Sequence, residues 1–115
     1  MKHEEHNLQV ACVKWFDLQH RPIKHLFWAT PNGGKRNKIE AERLKMEGVR
    51  AGVPDLFLAL PAKEWSGLFI ELKIGNNNLT KAQKEHFKHL PAVGFKCTVI
   101  RSFDEFVNEI NKYLT

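Results

Sequence analysis

No stretch of this 115-residue chain stays apolar for more than a few residues, and its opening, Met-Lys-His-Glu-Glu, carries charge where a secretory leader would be apolar. Neither a transmembrane helix nor a cleaved leader is therefore expected, and the protein is expected to be cytoplasmic, staying where it is made. Cysteine is scarce: Cys12 and Cys97 stand far apart with no Cys-x-x-Cys. That speaks against structural zinc and for small core residues in a reducing compartment. Six histidines add no zinc-ligand pattern; His86 and His89 are close at helical spacing, and they read as solvated surface residues. Internal repeats and low-complexity segments are missing too, which removes solenoid folds.

What is present describes a soluble globular chain. Hydrophobic residues make up 43% and charged residues 27%, enough apolar material for a core, and the length leads to the expectation of one domain over residues 1–115. Lys and Arg number 18 against 13 Asp and Glu, a net charge of +5 that favours a polyanionic partner. The bases are dispersed except at Lys35, Arg36 and Lys38, directly after Pro31-Asn32-Gly33-Gly34. Such a loop either follows a phosphate backbone or is simply a solvated turn.

Periodicity gives the elements. Leu8, Ala11, Cys12, Trp15 and Phe16 repeat with helical spacing over residues 4–19. On that helix Glu5 shares the stripe of Leu8 and Cys12, whereas Glu4 is turned away; Glu5 either complements the helix dipole or supplies an inward acid. A strand is predicted over residues 23–30, a helix over 37–47, strands over 55–60 and 67–73, a helix opening at the Thr80-Lys81-Ala82-Gln83 capping box, a strand over 95–100 and a helix over 103–113. The connection 61–66 suits an antiparallel hairpin. The order α-β-α-β-β-α-β-α implies a mixed β-sheet flanked by helices, an α/β fold.

The chemistry concentrates in Pro54-Asp55 and Glu71-Leu72-Lys73. Asp55 opens the apolar run Leu56-Phe57-Leu58-Ala59-Leu60, and in the next strand Phe69, Glu71 and Lys73 point one way while Leu68, Ile70 and Leu72 point the other. A carboxylate beside a buried strand is costly unless paired or holding a cation. Two on adjacent strands repel each other, and a divalent ion between them removes the repulsion; oxygen ligands of this kind suit Mg²⁺ or Mn²⁺. Lys73 would then steady the attacking hydroxide or the charge that develops on phosphate. Arg50, between Gly48 and Gly52, is either a phosphate contact or a solvent-facing residue of a connection. Gln83, amid the apolar stripe of Leu79, Phe87 and Leu90, either caps its helix with Thr80 or donates into a site.

Pro54-Asp55 followed by Glu71-x-Lys73 in this element order resembles the PD-(D/E)xK nuclease superfamily, the restriction-endonuclease-like fold. Glu5 before Leu8-Gln9, the Gly48…Gly52-x-Pro54-Asp55 approach, Ile70-Glu71-Leu72-Lys73 and Leu79-Thr80-x-x-Gln83 are similar to its VRR-NUC (virus-type replication-repair nuclease) branch. The likeness spans roughly residues 5–110 and implies a stand-alone module of the kind carried by bacteriophages, acting in the cytoplasm of a bacterial host. It further implies Asp55 and Glu71 as metal ligands with the Leu72 carbonyl a third, Glu5 reaching the metal directly or through water, Lys73 activating water and Gln83 positioning that water or Lys73. Lys35, Arg36, Lys38 and Arg50 lie outside the defining motif. The expected activity is Mg²⁺- or Mn²⁺-dependent cleavage of branched DNA, foremost four-way (Holliday) junctions, by a homodimer. Flap cleavage and a non-catalytic DNA-binding module are the alternatives.

Overall fold

The computed structural model describes residues 3–31 and 37–115, and its element order is the expected one with a single addition. Helix α1 (His3–Gln19) buries Cys12 and Phe16. It stops before Pro22, whose ring fixes φ and removes an N–H. Residues 23–26, expected as strand, instead belong to a 3-10 turn, Arg21–Leu26, that carries the chain from α1 to the sheet edge. Only Phe27–Ala29 form strand β1. Alternating apolarity does not distinguish these cases, because Ile23 and Leu26 pack on the core from the turn just as they would from a strand.

Helix α2 (Lys38–Met46) is capped by Asn37, whose Oδ1 accepts from the Glu40 N–H at 2.8 Å. Strands β2 (Leu56–Leu58) and β3 (Gly67–Leu72) pair antiparallel, as the short connection required. Helix α3 (Lys81–Ala92) then crosses over so that β4 (Phe95–Ile100) lies parallel to β3, and α4 (Phe103–Leu114) closes the described chain. The sheet order is β1-β2-β3-β4, with β1 and β2 also antiparallel.

One sheet face carries the core. Leu56 and Leu58 from β2, Leu68, Ile70 and Leu72 from β3 and Ile100 from β4 meet Cys12 and Phe16 of α1 and Phe106, Ile110 and Tyr113 of α4. The Tyr113 hydroxyl donates to the Leu60 carbonyl at 2.7 Å, and Lys96 pairs with Glu109 at 2.8 Å, so α4 is tied both to the chain that leaves β2 and to β4. The opposite face is aromatic: Trp28 packs edge-on against Phe57 at 5.4 Å, Phe57 stacks on Phe69 at 4.3 Å, and Phe69 meets Phe95 at 5.7 Å.

Gly52 shows how the α2–β2 connection is held. Its φ is +82°, and a Cβ there would lie 2.5 Å from the backbone carbon of Ala82 at the start of α3. The glycine therefore serves close packing of two backbones, not the approach of a ligand. Gly52→Ala is expected to destabilise the protein by about 2–4 kcal/mol in urea unfolding, from left-handed strain plus a clash with immobile backbone. A loss below half a kcal/mol would mean that the contact is not tight.

Candidate active site

Antiparallel pairing assembles the acids. Leu56 pairs with Ile70, so one step beyond the end of β2 the register sets Asp55 opposite Glu71, and the next step sets Pro54 opposite Leu72. The Leu72 N–H, which would have bonded a strand partner there, donates instead to Asp55 Oδ2 at 2.8 Å. Pro54 has no N–H to offer the Leu72 carbonyl, which points to the same side as its own amide. The proline thus ends the ladder and leaves a carbonyl oxygen next to Asp55. The Asp55 carbonyl in turn accepts from the Thr30 N–H at 2.8 Å, fixing the backbone under this carboxylate to the end of β1.

Glu71 is 2% exposed, and Lys73, 9% exposed, follows it on the same face. The Lys73 ammonium stands 3.8 Å from Glu71 Oε2, and Gln83 Nε2 donates to the same oxygen at 3.0 Å. The other oxygen, Oε1, is buried with no donor facing it. The Asp55 carboxyl is near enough for its charge to act on Glu71. Burial first, then the Asp55 charge, pushes Glu71 up to about 8, with Lys73 pulling the other way. Asp55 is raised by burial, against the opposing effects of the Leu72 amide, a hydrogen bond with Glu71 and the Lys73 charge. Glu5 is raised by burial and by Asp55 and lowered by Lys73, so the first turn of α1 does bring its carboxyl into the field of this group.

Gln83 resolves the choice that the sequence left open, because it does both jobs. Its Oε1 accepts from the Thr80 N–H at 2.8 Å while its backbone N–H meets Thr80 Oγ1 at 3.2 Å, a complete capping box, and its Nε2 reaches Glu71. Gln83→Glu separates the roles: the cap keeps its acceptor, while the donor to Glu71 becomes another acid. Cleavage is expected to fall about 10–100-fold with helix content unchanged, as for a lost partner of a ligand. Unaltered activity would leave Gln83 a capping residue alone.

Among the described residues, no three His, Cys, Asp or Glu side chains form a metal-binding cluster. The donor set still fits a small divalent cation, which takes one or two carboxylates and keeps several waters. The buried unpartnered Glu71 Oε1, the elevated Glu71 and the Leu72 carbonyl beside Asp55 all favour positive charge here.

Arg50 is exposed in the connection from α2 to β2, and Lys38 is exposed at the start of α2. Lys35 and Arg36 lie outside the described residues. Sequence reasoning did not foresee the Leu72 amide as the group that orients Asp55, although the register together with Pro54 carried that signal.

A family model, the VRR-NUC domain, matches residues 3–104. A solved structure titled VRR_NUC domain protein is similar at 31% sequence identity and a TM-score of 0.83, covering 96% of this chain and 87% of its own. No curated protein matches.

Proposed function

This chain belongs to the VRR-NUC domain family, whose members are nucleases, and we propose that it is a Mg²⁺- or Mn²⁺-dependent, structure-specific endodeoxyribonuclease that resolves four-way junctions as a homodimer. The observation that carries this reading is the Asp55–Glu71 pair at the open end of the β2–β3 ladder, with Lys73 and Gln83 converging on one Glu71 oxygen.

Asp55 and Glu71 hold the cation in this proposal, with the Leu72 carbonyl a third ligand and Glu5 acting through water. When bound, the ion lowers the pKa of a coordinated water and neutralises charge on the scissile phosphate and the departing oxygen. The side chains do the rest. The Leu72 amide fixes one Asp55 oxygen and leaves the other for binding. Gln83 holds Glu71 Oε2, so that Oε1 faces the site. Lys73, compact and mobile at its tip, orients the attacking water and offsets charge on the phosphate.

The net charge of +5 and exposed Arg50 and Lys38 suit sequence-independent phosphate contact, which favours reading of DNA shape. Lys35 and Arg36 join this set by their place in the sequence. A four-way junction is roughly two-fold symmetric, and paired cuts call for a two-fold enzyme.

Linear, flap and four-way DNA incubated with Mn²⁺, with and without chelator, test the proposal together. Symmetric paired nicks on the four-way substrate, lost with chelator, are expected. Equal cutting of linear duplex would remove the junction preference and leave a general nuclease. Binding of every substrate without cutting would favour a non-catalytic module.

A further inference from the structure

Helix α2 is nine residues long, and no other helix or strand packs substantially against it among the described residues. Helices this short are marginal in water without tertiary support. Yet its large apolar side chains face outward: Ile39 is 78% exposed and Met46 84%. At about 100° per residue these two project together, Glu42 and Arg43 flank them on either side, and Leu44, half-buried, points the opposite way toward its own chain. Lys38, Ile39, Glu42, Arg43 and Met46 line an open groove of about 420 Å³ on that outer face.

The segment is also self-complementary. About the Glu42–Arg43 midpoint, Lys38 mirrors Glu47, Ile39 mirrors Met46, and Glu40 mirrors Lys45, so each charge is matched by its opposite and apolar by apolar. Three bases balance three acids from Lys38 to Glu47, and a phosphate backbone laid along it would meet as many carboxylates as ammonium groups. A second copy running antiparallel meets none of that conflict. Ile39 stands level with Met46 of the partner subunit, Glu42 comes beside Lys45 of the partner subunit along one seam, and Arg43 beside Glu40 of the partner subunit along the other.

We infer that α2 is the two-fold contact of the homodimer, pairing antiparallel with α2 of a second copy through Ile39 and Met46. This rests on the dimeric reading above and names its surface. Two nine-residue helices bury less than the roughly 800 Å² per partner of a stable interface, so the free dimer is weak, forming at tens of micromolar, roughly, and a junction held by both subunits tightens it.

Sedimentation velocity of the full chain up to about 200 µM tests the inference. The wild type is expected to shift toward dimer with concentration, and Ile39→Glu/Met46→Glu to remain monomeric, weakened by about 100-fold or more, since both side chains are exposed in the single chain and the fold does not need them. Paired junction cuts should become single nicks in that variant. Independently, mixing Ile39→Cys with Met46→Cys under oxidation should give a cross-linked dimer well above either variant alone. A wild type that stays monomeric, a double-Glu variant that still dimerises, or a mixture that links no better than the separate variants would each overturn the pairing. An α2-linked dimer that leaves four-way junctions intact would instead overturn the resolving activity and leave the interface standing.

Discussion

Asp55→Asn is expected to reduce cleavage by about 10³-fold or more while leaving DNA affinity within a few-fold of wild type. The change keeps the shape of the side chain, and the amide oxygen can still accept from the Leu72 N–H. What goes is one of the two charges that would hold the ion, and a catalytic cation contributes several kcal/mol of transition-state stabilisation, each 1.4 kcal/mol being tenfold. Phosphate contacts elsewhere are untouched, so binding survives. A second readout separates catalysis from structure. The Asp55 charge is one reason that Glu71 is raised, so its removal relieves a repulsion in the metal-free protein. The chelated variant should therefore melt no lower than wild type, and above neutral pH it should melt higher, as for other sites that give up stability for function. Binding lost together with cleavage, or a clear drop in melting temperature, would make Asp55 a structural residue.

The chain wrote some of this plainly and some not at all. Gly52 and Pro54 flanking a run such as Leu56-Phe57-Leu58 make a strand start legible, and Thr80 three residues before Gln83 does the same for a helix start, because both depend on local stereochemistry. The 3-10 turn at Arg21–Leu26 was not legible: Ile23 and Leu26 are apolar in either conformation and pack on the core from the turn. The acids were legible as types. That Asp55 and Glu71 would face each other follows only from the Leu56–Ile70 register, a tertiary fact. Gln83 is instructive for the opposite reason, since two explanations that compete on paper turn out to use different atoms of one amide.

Stability without metal should fall as pH rises from about 5 to about 8, and divalent metal should erase most of that fall. Glu71 is raised to about 8 in the fold from an ordinary value of 4.5. Between those two values the folded protein keeps a proton that the unfolded chain has released, so raising pH favours unfolding; below 4.5 there is no penalty, and above 8 it is complete. Asp55 and Glu5 are raised as well, which gives the same sign. The penalty should be on the order of a few kcal/mol. Glu71→Gln removes the titrating group and should flatten the slope through this window. Glu71, raised to about 8, must lose its proton to hold a cation, so Mg²⁺ or Mn²⁺ binding near pH 7 should release about one proton, seen by calorimetry in buffers of different ionisation enthalpy, and affinity should rise with pH until about 8. Stabilisation by metal then grows with its concentration over the dissociation constant. Binding with no proton release, or a slope that survives Glu71→Gln, would place the cation somewhere other than the end of the β2–β3 ladder.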